Sequence, residues 1–192
     1  MENAFYPMVF RQKYIRRWGL MRNMTEETLS EHSYDVAVLT HALCEIGNNI
    51  FGKKYDTGLA VTRALFHDVQ EVYTGDMPTP AKYYSEEMRQ NYARIEESAT
   101  EQLLCKLPQK LRPTYEELLT SKEDDLARIV KAADKLSAYI KCIEEKKCNN
   151  NEFKSAGETI YAALKKTELE ELRYFMDNFL PAFEADLDTL QK

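Results

Sequence analysis

A chain of 192 residues with 44% apolar content, carrying 26 Lys and Arg against 32 Asp and Glu, is sized for one well-cored domain over residues 1–192 and is too apolar for a disordered tail. With 6 Gly and 6 Pro it is poor in turn-forming residues, which argues against a turn-rich all-β architecture and for an all-α fold. The net charge of -6 excludes a polymeric nucleic acid partner while leaving room for a single nucleotide, and the longest uncharged run, Val36 to Cys44, is nine residues where a membrane span needs about 20.

The start, Met1-Glu2-Asn3-Ala4, has no basic segment ahead of an apolar one, so no secretory leader is expected and the protein is placed in the cytoplasm. Residues 4–17 read as one helix interrupted near Pro7. Thr28-Leu29-Ser30-Glu31 has the capping-box form, in which the first and fourth side chains satisfy each other's backbone amides. Leu29, His32, Val36, Leu39 and Leu43 follow at spacings of three and four, one helix face with His32 on it. Residues 56–73 read as a second amphipathic helix, with Val61, Leu65, Asp68 and Val72 on one line and Ala60, Ala64, His67 and Glu71 on the adjacent line. Two prolines and a glycine in Thr74-Gly75-Asp76-Met77-Pro78-Thr79-Pro80 forbid a continuing helix and predict a loop just beyond His67-Asp68.

Residues 85–106 carry the stripe Met88, Tyr92, Ile95, Ala99 and Leu103, and Pro108 and Pro113 punctuate the stretch after it. Ser121-Lys122-Glu123-Asp124 is a second capping box, opening a long helix through Leu126, Ile129, Val130, Ala133, Leu136, Ile140 and Ile143. Asp134 lies on the border of that stripe. After a break at residues 149–151, two helices are expected, the last with Leu169, Leu172, Met176 and Phe179 before Pro181. Cys44, Cys105, Cys142 and Cys148 form no Cys-x-x-Cys pair and read as reduced thiols.

The chemistry has few places to reside. Of the three histidines, His41 is nine positions after His32, about 180° round the same helix, so those two cannot share a site. His32 and His67-Asp68, by contrast, lie on core-facing sides of their helices, where an unsatisfied ionisable group is costly. Mutual hydrogen bonding would satisfy them. So would a divalent cation, since two imidazoles and two carboxylates, His32, His67, Asp68 and Asp134, make a mixed shell suited to Co, Mn, Fe or Zn.

The order His32, His67-Asp68, Asp134 resembles the HD-domain phosphohydrolases. The surrounding words are more specific: Arg17-Trp18-Gly19-Leu20-Met21-Arg22-Asn23, Ser30-Glu31-His32-Ser33, His67-Asp68-Val69-Gln70-Glu71-Val72, the Thr74 to Pro80 loop, Ala132-Ala133-Asp134 and Asn150-Asn151-Glu152-Phe153. Together they are similar to the YfbR-type 5′-deoxynucleotidases from the first helix to near the C-terminus. The resemblance implies an all-α HD-domain helical bundle, active as a homodimer. Its implied activity is hydrolysis of deoxyribonucleoside 5′-monophosphates by attack of a metal-activated water on phosphorus, with one divalent cation bound by His32, His67, Asp68 and Asp134. It further implies that Glu71 and Asp76 are catalytic, and that Arg17, Trp18, Asp76 and Thr79 bind the nucleotide. Gly19 and Gln70 depart from the family pattern, and neither is a proposed ligand.

Independent physical support differs between these residues. A carboxylate four positions after His67 would project over the same helix face, which suits Glu71 to proton transfer. Arg17 offers a planar fork for phosphate, although Lys13 and Arg16 beside it make a solvated basic face the ordinary alternative. Two other readings stay open on sequence grounds: an HD phosphohydrolase acting on triphosphates or alarmones, and a non-catalytic helical scaffold or nucleotide sensor whose buried ionisable groups pair with one another.

Overall fold

The computed structural model describes residues 3–120 and 123–192. Met1 and Glu2, with which the expected leaderless start begins, and Ser121 and Lys122, the first half of the second capping box, lie outside the described residues. Among the described residues there are helices and 3-10 turns but no strand, in keeping with the expected all-α class. The helices are α1 (Phe5–Val9), α2 (Leu29–Ile50), α3 (Thr57–Phe66), α4 (Glu71–Thr74), α5 (Thr79–Lys82), α6 (Glu86–Leu104), α7 (Arg112–Leu119), α8 (Asp125–Lys147), α9 (Lys154–Lys165), α10 (Glu170–Asn178) and α11 (Leu187–Leu190). No described helix is long and apolar enough to cross a membrane.

The chain divides into two compact units, one made of the described residues of Met1–Arg22, Glu26–Tyr34 and Leu65–Ser121, the other of those of Asn23–Thr25, Asp35–Ala64 and Lys122–Lys192. In the first, Phe5, Val69, Leu103, Leu104 and Leu107 form a buried apolar cluster covered by Met8, Val9, Phe66, Val72, Tyr115 and Leu119. In the second, Val36, Leu39, Leu43, Ala60, Ala64, Ile129, Ala133, Leu136, Ile143, Leu164 and Leu172 belong to a larger core. Residues read as helix stripes from their spacing supply most of the larger core, whereas in the smaller cluster only Leu103 belongs to such a stripe.

The first capping box forms as its spacing predicts: the Thr28 amide donates to Glu31 Oε2 at 2.7 Å and the Glu31 amide to Thr28 Oγ1 at 3.3 Å. Behind it Leu29, His32, Val36, Leu39 and Leu43 are all buried, and His41 is exposed. Ser85 caps α6 by accepting from the Met88 amide at 3.0 Å. Along α6, Tyr92, Ala99 and Leu103 are buried whereas Met88 and Ile95 are exposed, so its packed stripe is narrower than its apolar pattern.

Four expectations need correction. Residues 4–17 are not one helix broken at Pro7, because Pro7 sits in the first turn of α1, where no intrahelical amide is needed. The change comes at Phe10, where the chain tightens into a 3-10 turn over Phe10–Tyr14. Residues 56–73 are two helices, since α3 stops at Phe66 and His67–Gln70 form a turn. The long helix α8 starts at Asp125, with Asp124 accepting from the Ala127 amide at 2.8 Å while also receiving Arg63 Nη1 at 2.7 Å. Beyond α10 the chain adds a 3-10 turn through Pro181 and the short α11.

The second unit encloses a charged cluster. Glu145, 1% exposed, accepts from Lys141 Nζ at 2.6 Å, Asn150 Nδ2 at 2.7 Å and the Met24 and Thr25 amides at 3.0 and 3.1 Å. Lys141 Nζ also donates to the Thr25 carbonyl. Burial alone would raise the Glu145 pKa, but these hydrogen bonds outweigh it and hold the carboxyl down to about 2. A depressed carboxyl adds stability above its unfolded pKa and loses it as pH falls through about 2. Glu145→Ala strands the buried Lys141 charge and is expected to lower unfolding free energy by about 3 to 5 kcal/mol at neutral pH. Urea unfolding at pH 7 and pH 2.5 checks this, with a smaller difference between variant and wild type at the lower pH.

Candidate functional site

The first unit holds a second, larger set of buried ionisable groups. It begins with an isolated antiparallel bridge between Arg16 and Thr28, flanked by bonds from the Arg17 amide to the Glu27 carbonyl at 2.9 Å and from the Leu29 amide to the Ile15 carbonyl at 2.9 Å. The pairing lays Arg17 and Trp18 beside Glu27 and the start of α2, which carries His32. Trp18 turns the chain with φ 59°, a left-handed conformation uncommon for a bulky residue, and its carbonyl accepts the Met21 amide at 2.9 Å. Its indole Nε1 donates to Glu27 Oε2 at 2.6 Å.

The turn after α3 supplies the centre. His67 Nε2 lies 2.9 Å from Asp68 Oδ2, His32 Nε2 lies 3.9 Å from the same oxygen, and the two imidazole centroids are 5.3 Å apart. His32, His67 and Asp68 each offer one ligand atom, and those atoms all lie within 4.8 Å of one another. Separations of that size suit a single cation, and the donor set of two imidazole nitrogens and a carboxylate oxygen suits the divalent ions expected from the sequence. Asp134, the fourth expected ligand, lies half-buried on α8 in the other unit.

Around this cluster stand the other expected site residues. Arg17 Nη1 is 3.9 Å from Asp68 Oδ2 and 3.6 Å from Asp76 Oδ1. Glu71 is the first residue of α4, 6% exposed, and its Oε2 is buried with no hydrogen-bond partner among the described residues. The helical relation expected between His67 and Glu71 is absent, because the turn separates them. The Glu71 amide bonds the Asp68 carbonyl at 3.0 Å, and this closure sets the start of α4 directly after the dipeptide. Thr79 is the exposed first residue of α5, and no side-chain contact marks it as part of the site.

Each carboxyl responds differently. Burial would raise the Asp68 pKa, but the His67 charge and hydrogen bond, with His32 and Arg17, hold it far below the carboxylate range. Glu71 is pushed up to about 9 by burial and by the charges of Asp68 and Asp76, against the pull of Arg17 and Lys82. Asp76 is also raised, by burial, with Arg17 and the Trp18 amide opposing. Glu27 is lowered: His32, Arg17 and Trp18 overcome its burial.

Glu27 is the member of the site that sequence reasoning missed. It precedes the capping box in an acidic stretch and looks like a solvated helix-start carboxylate, and only the pairing of residues 15–17 with 27–29 buries it. Its burial could not be read from local pattern.

Because the folded state raises the Glu71 pKa, it binds a proton there that the unfolded chain releases near the ordinary value, so stability falls as pH rises from about 5 to about 9. Glu71→Gln removes that dependence. In chelator, the variant is expected to be more stable than wild type at pH 9 and similar to it near pH 4, as read by urea unfolding across that range.

The sequence pattern of the family described as 5′-deoxynucleotidase YfbR-like matches residues 4–183. The chain is 40% identical over 191 residues to a 5′-deoxynucleotidase of Vibrio cholerae, covering 98% of each chain. It is 39% identical over 193 residues to the 5′-deoxynucleotidase YfbR of Escherichia coli, covering 100% of this chain and 97% of the relative. In fold it is similar to an HD-domain phosphohydrolase from Listeria innocua, with a TM-score of 0.85 at 23% identity over 98% of this chain and 92% of that one. It is also similar to the HD phosphohydrolase of cyanophage S-2L, described as bound to dA and one catalytic zinc ion, with a TM-score of 0.65 at 20% identity over 96% and 99% of the two chains. The motifs, the all-helical fold and these likenesses agree: the chain belongs to the YfbR-like 5′-deoxynucleotidase family.

Proposed function

We propose that this protein is a metal-dependent 5′-deoxynucleotidase that hydrolyses deoxyribonucleoside 5′-monophosphates to deoxyribonucleosides and phosphate. The observation that carries the proposal is the His32, His67 and Asp68 cluster, its ligand atoms within 4.8 Å of one another. It lies beside Arg17 in a chain 40% identical to a 5′-deoxynucleotidase over 98% of its length. Asp134 would complete the shell as a fourth ligand, which its place in the Ala132-Ala133-Asp134 motif supports. A bound Co, Mn, Fe or Zn ion supplies Lewis acidity at the phosphoryl group and the attacking water, and availability decides which ion is used.

The protein's own residues do the rest. Arg17 grips the phosphate with paired charge-assisted bonds, and Asp76 holds the guanidinium in place. The buried Oε2 of Glu71 suits this side chain to orient the attacking water or take the proton it gives up. Asp76, also raised, is the candidate donor to the departing 5′-oxygen. Trp18, locked by Glu27, walls the sugar and excludes a 2′-hydroxyl by bulk. Thr79 would contact the nucleotide from the start of α5, a role that rests on the motif alone.

One catalytic domain over residues 1–192 is part of this reading, which the unbroken match over residues 4–183 supports. The family resemblance supports a homodimer, and the net charge of -6 speaks against polymeric nucleic acid as a partner, with the cytoplasm as the compartment proposed and no membrane partner. Light scattering on the purified chain tests the dimer.

Turnover is tested by incubating the protein with a deoxynucleoside mono- or triphosphate and several divalent ions. Orthophosphate from the monophosphate is expected, and triphosphate-only turnover with a larger polyphosphate product would refute the proposal. Asp68→Ala is expected to lose bound metal and more than about a hundredfold in turnover. Wild-type rates in a metal-free variant would end the metal mechanism. Trp18→Ala is expected to raise turnover of ribonucleotides relative to deoxyribonucleotides, and an unchanged ratio would remove Trp18 from the selectivity.

A further inference from the structure

Beyond holding the Trp18 indole, Glu27 has no role in the chemistry above, yet its carboxylate meets three residues of the site at once. It is 8% exposed, Oε2 accepts from Trp18 Nε1 at 2.6 Å and lies 3.6 Å from Arg17 Nε, and Oε1 lies 3.5 Å from His32 Nδ1. Its backbone is held too, by the Arg17 amide on its carbonyl on one side and the capping residue Thr28 on the other. An ionised carboxylate only accepts hydrogen bonds, so Trp18 and His32 present N–H to it, while Arg17 acts on it through charge. A proton on His32 Nδ1 leaves the lone pair on Nε2, the nitrogen 3.9 Å from Asp68.

We propose that Glu27 is a positioning residue that couples the metal cluster to the nucleotide-facing pair, setting the nitrogen that His32 offers to a cation and, with the same carboxylate, the orientation of the Trp18 indole. The inference rests on the function proposed above. Its consequence is that the cation and the sugar wall are not independent: a change at His32 reaches Trp18 through one side chain. Trp18 is the single tryptophan, so its emission reports that coupling without any turnover measurement.

The experiment titrates zinc, which is redox-inert, into wild type, Glu27→Gln, Glu27→Ala and the control Glu26→Gln, following zinc affinity and tryptophan emission, with melting measured in chelator. Glu26 is exposed and paired with Arg16, so its variant is expected to match wild type. A glutamine carbonyl can still accept from the indole, but its amide nitrogen cannot accept from His32 Nδ1. Glu27→Gln is therefore expected to melt like wild type in chelator, keep near-wild-type emission without zinc, bind zinc roughly 10- to 100-fold more weakly and lose the zinc-induced emission change. Glu27→Ala is expected to shift the emission as well.

Zinc binding and a zinc-induced emission change that survive intact in Glu27→Gln would overturn the proposal. So would a wild type that binds zinc and hydrolyses nucleotides with unchanged emission, or a glutamine variant already unfolded in chelator, which would assign Glu27 to folding. These outcomes leave the proposed function standing. A wild type that binds no divalent ion would instead remove the metal centre itself, and the coupling with it.

Discussion

Around Arg17 the first unit gathers more negative charge than its cations balance. Glu27, Asp68 and Asp76 approach the guanidinium at 3.6, 3.9 and 3.6 Å, and Glu71 is buried close enough to feel the charges of Asp68 and Asp76. Four carboxyls in low dielectric are more than one guanidinium, with Lys82 at a distance, can balance. The metal-free site meets this by keeping a proton on Glu71. His32, His67 and Asp68 would hold a divalent cation, whose charge would offset that of Asp68. The same imbalance thus accounts for a carboxyl of high proton affinity and for a place prepared for a metal.

The position of that imbalance depends on two local interruptions of helix. The turn at His67–Gln70 takes the His-Asp pair off the end of α3 and starts α4 at Glu71, so three ionisable groups come from a short span in a turn rather than from one helix face. Val69, in the middle of the turn, is buried with Phe5, Leu103 and Leu104, which anchors it. The second interruption is the Arg16 to Thr28 bridge, which brings Arg17 and Trp18 to the N-terminus of the helix bearing His32. In the chain, the segment between Trp18 and Glu27 passes through Met24 and Thr25, whose amides the buried Glu145 holds.

Much of this was legible in the sequence, for identifiable reasons. The stripe Leu29, His32, Val36, Leu39 and Leu43 is read correctly because helix periodicity is local and successive turns of α2 repeat it without a breaker. The capping box at Thr28 is read correctly because it is a contact between residues three apart. The same logic misled at residues 56–73, where the apolar pattern runs on past Phe66 with no Gly or Pro to stop it. Tertiary burial of Val69 bends the chain there, and no local signal announces it.

Sequence by itself determined the helical class, the faces that enter the cores, the scarcity of histidine that narrows any site to His32 and His67, and the family, since these reside in composition, period and contiguous words. The tertiary structure decided what depends on distant residues meeting: that His-Asp lies on a turn, that Glu71 is buried among other charges and holds a proton, and that Glu27 joins Trp18, Arg17 and His32. Burial and electrostatics are properties of neighbours in space, and the neighbours of Glu27 are set by a pairing between chain segments that no spacing along the sequence encodes.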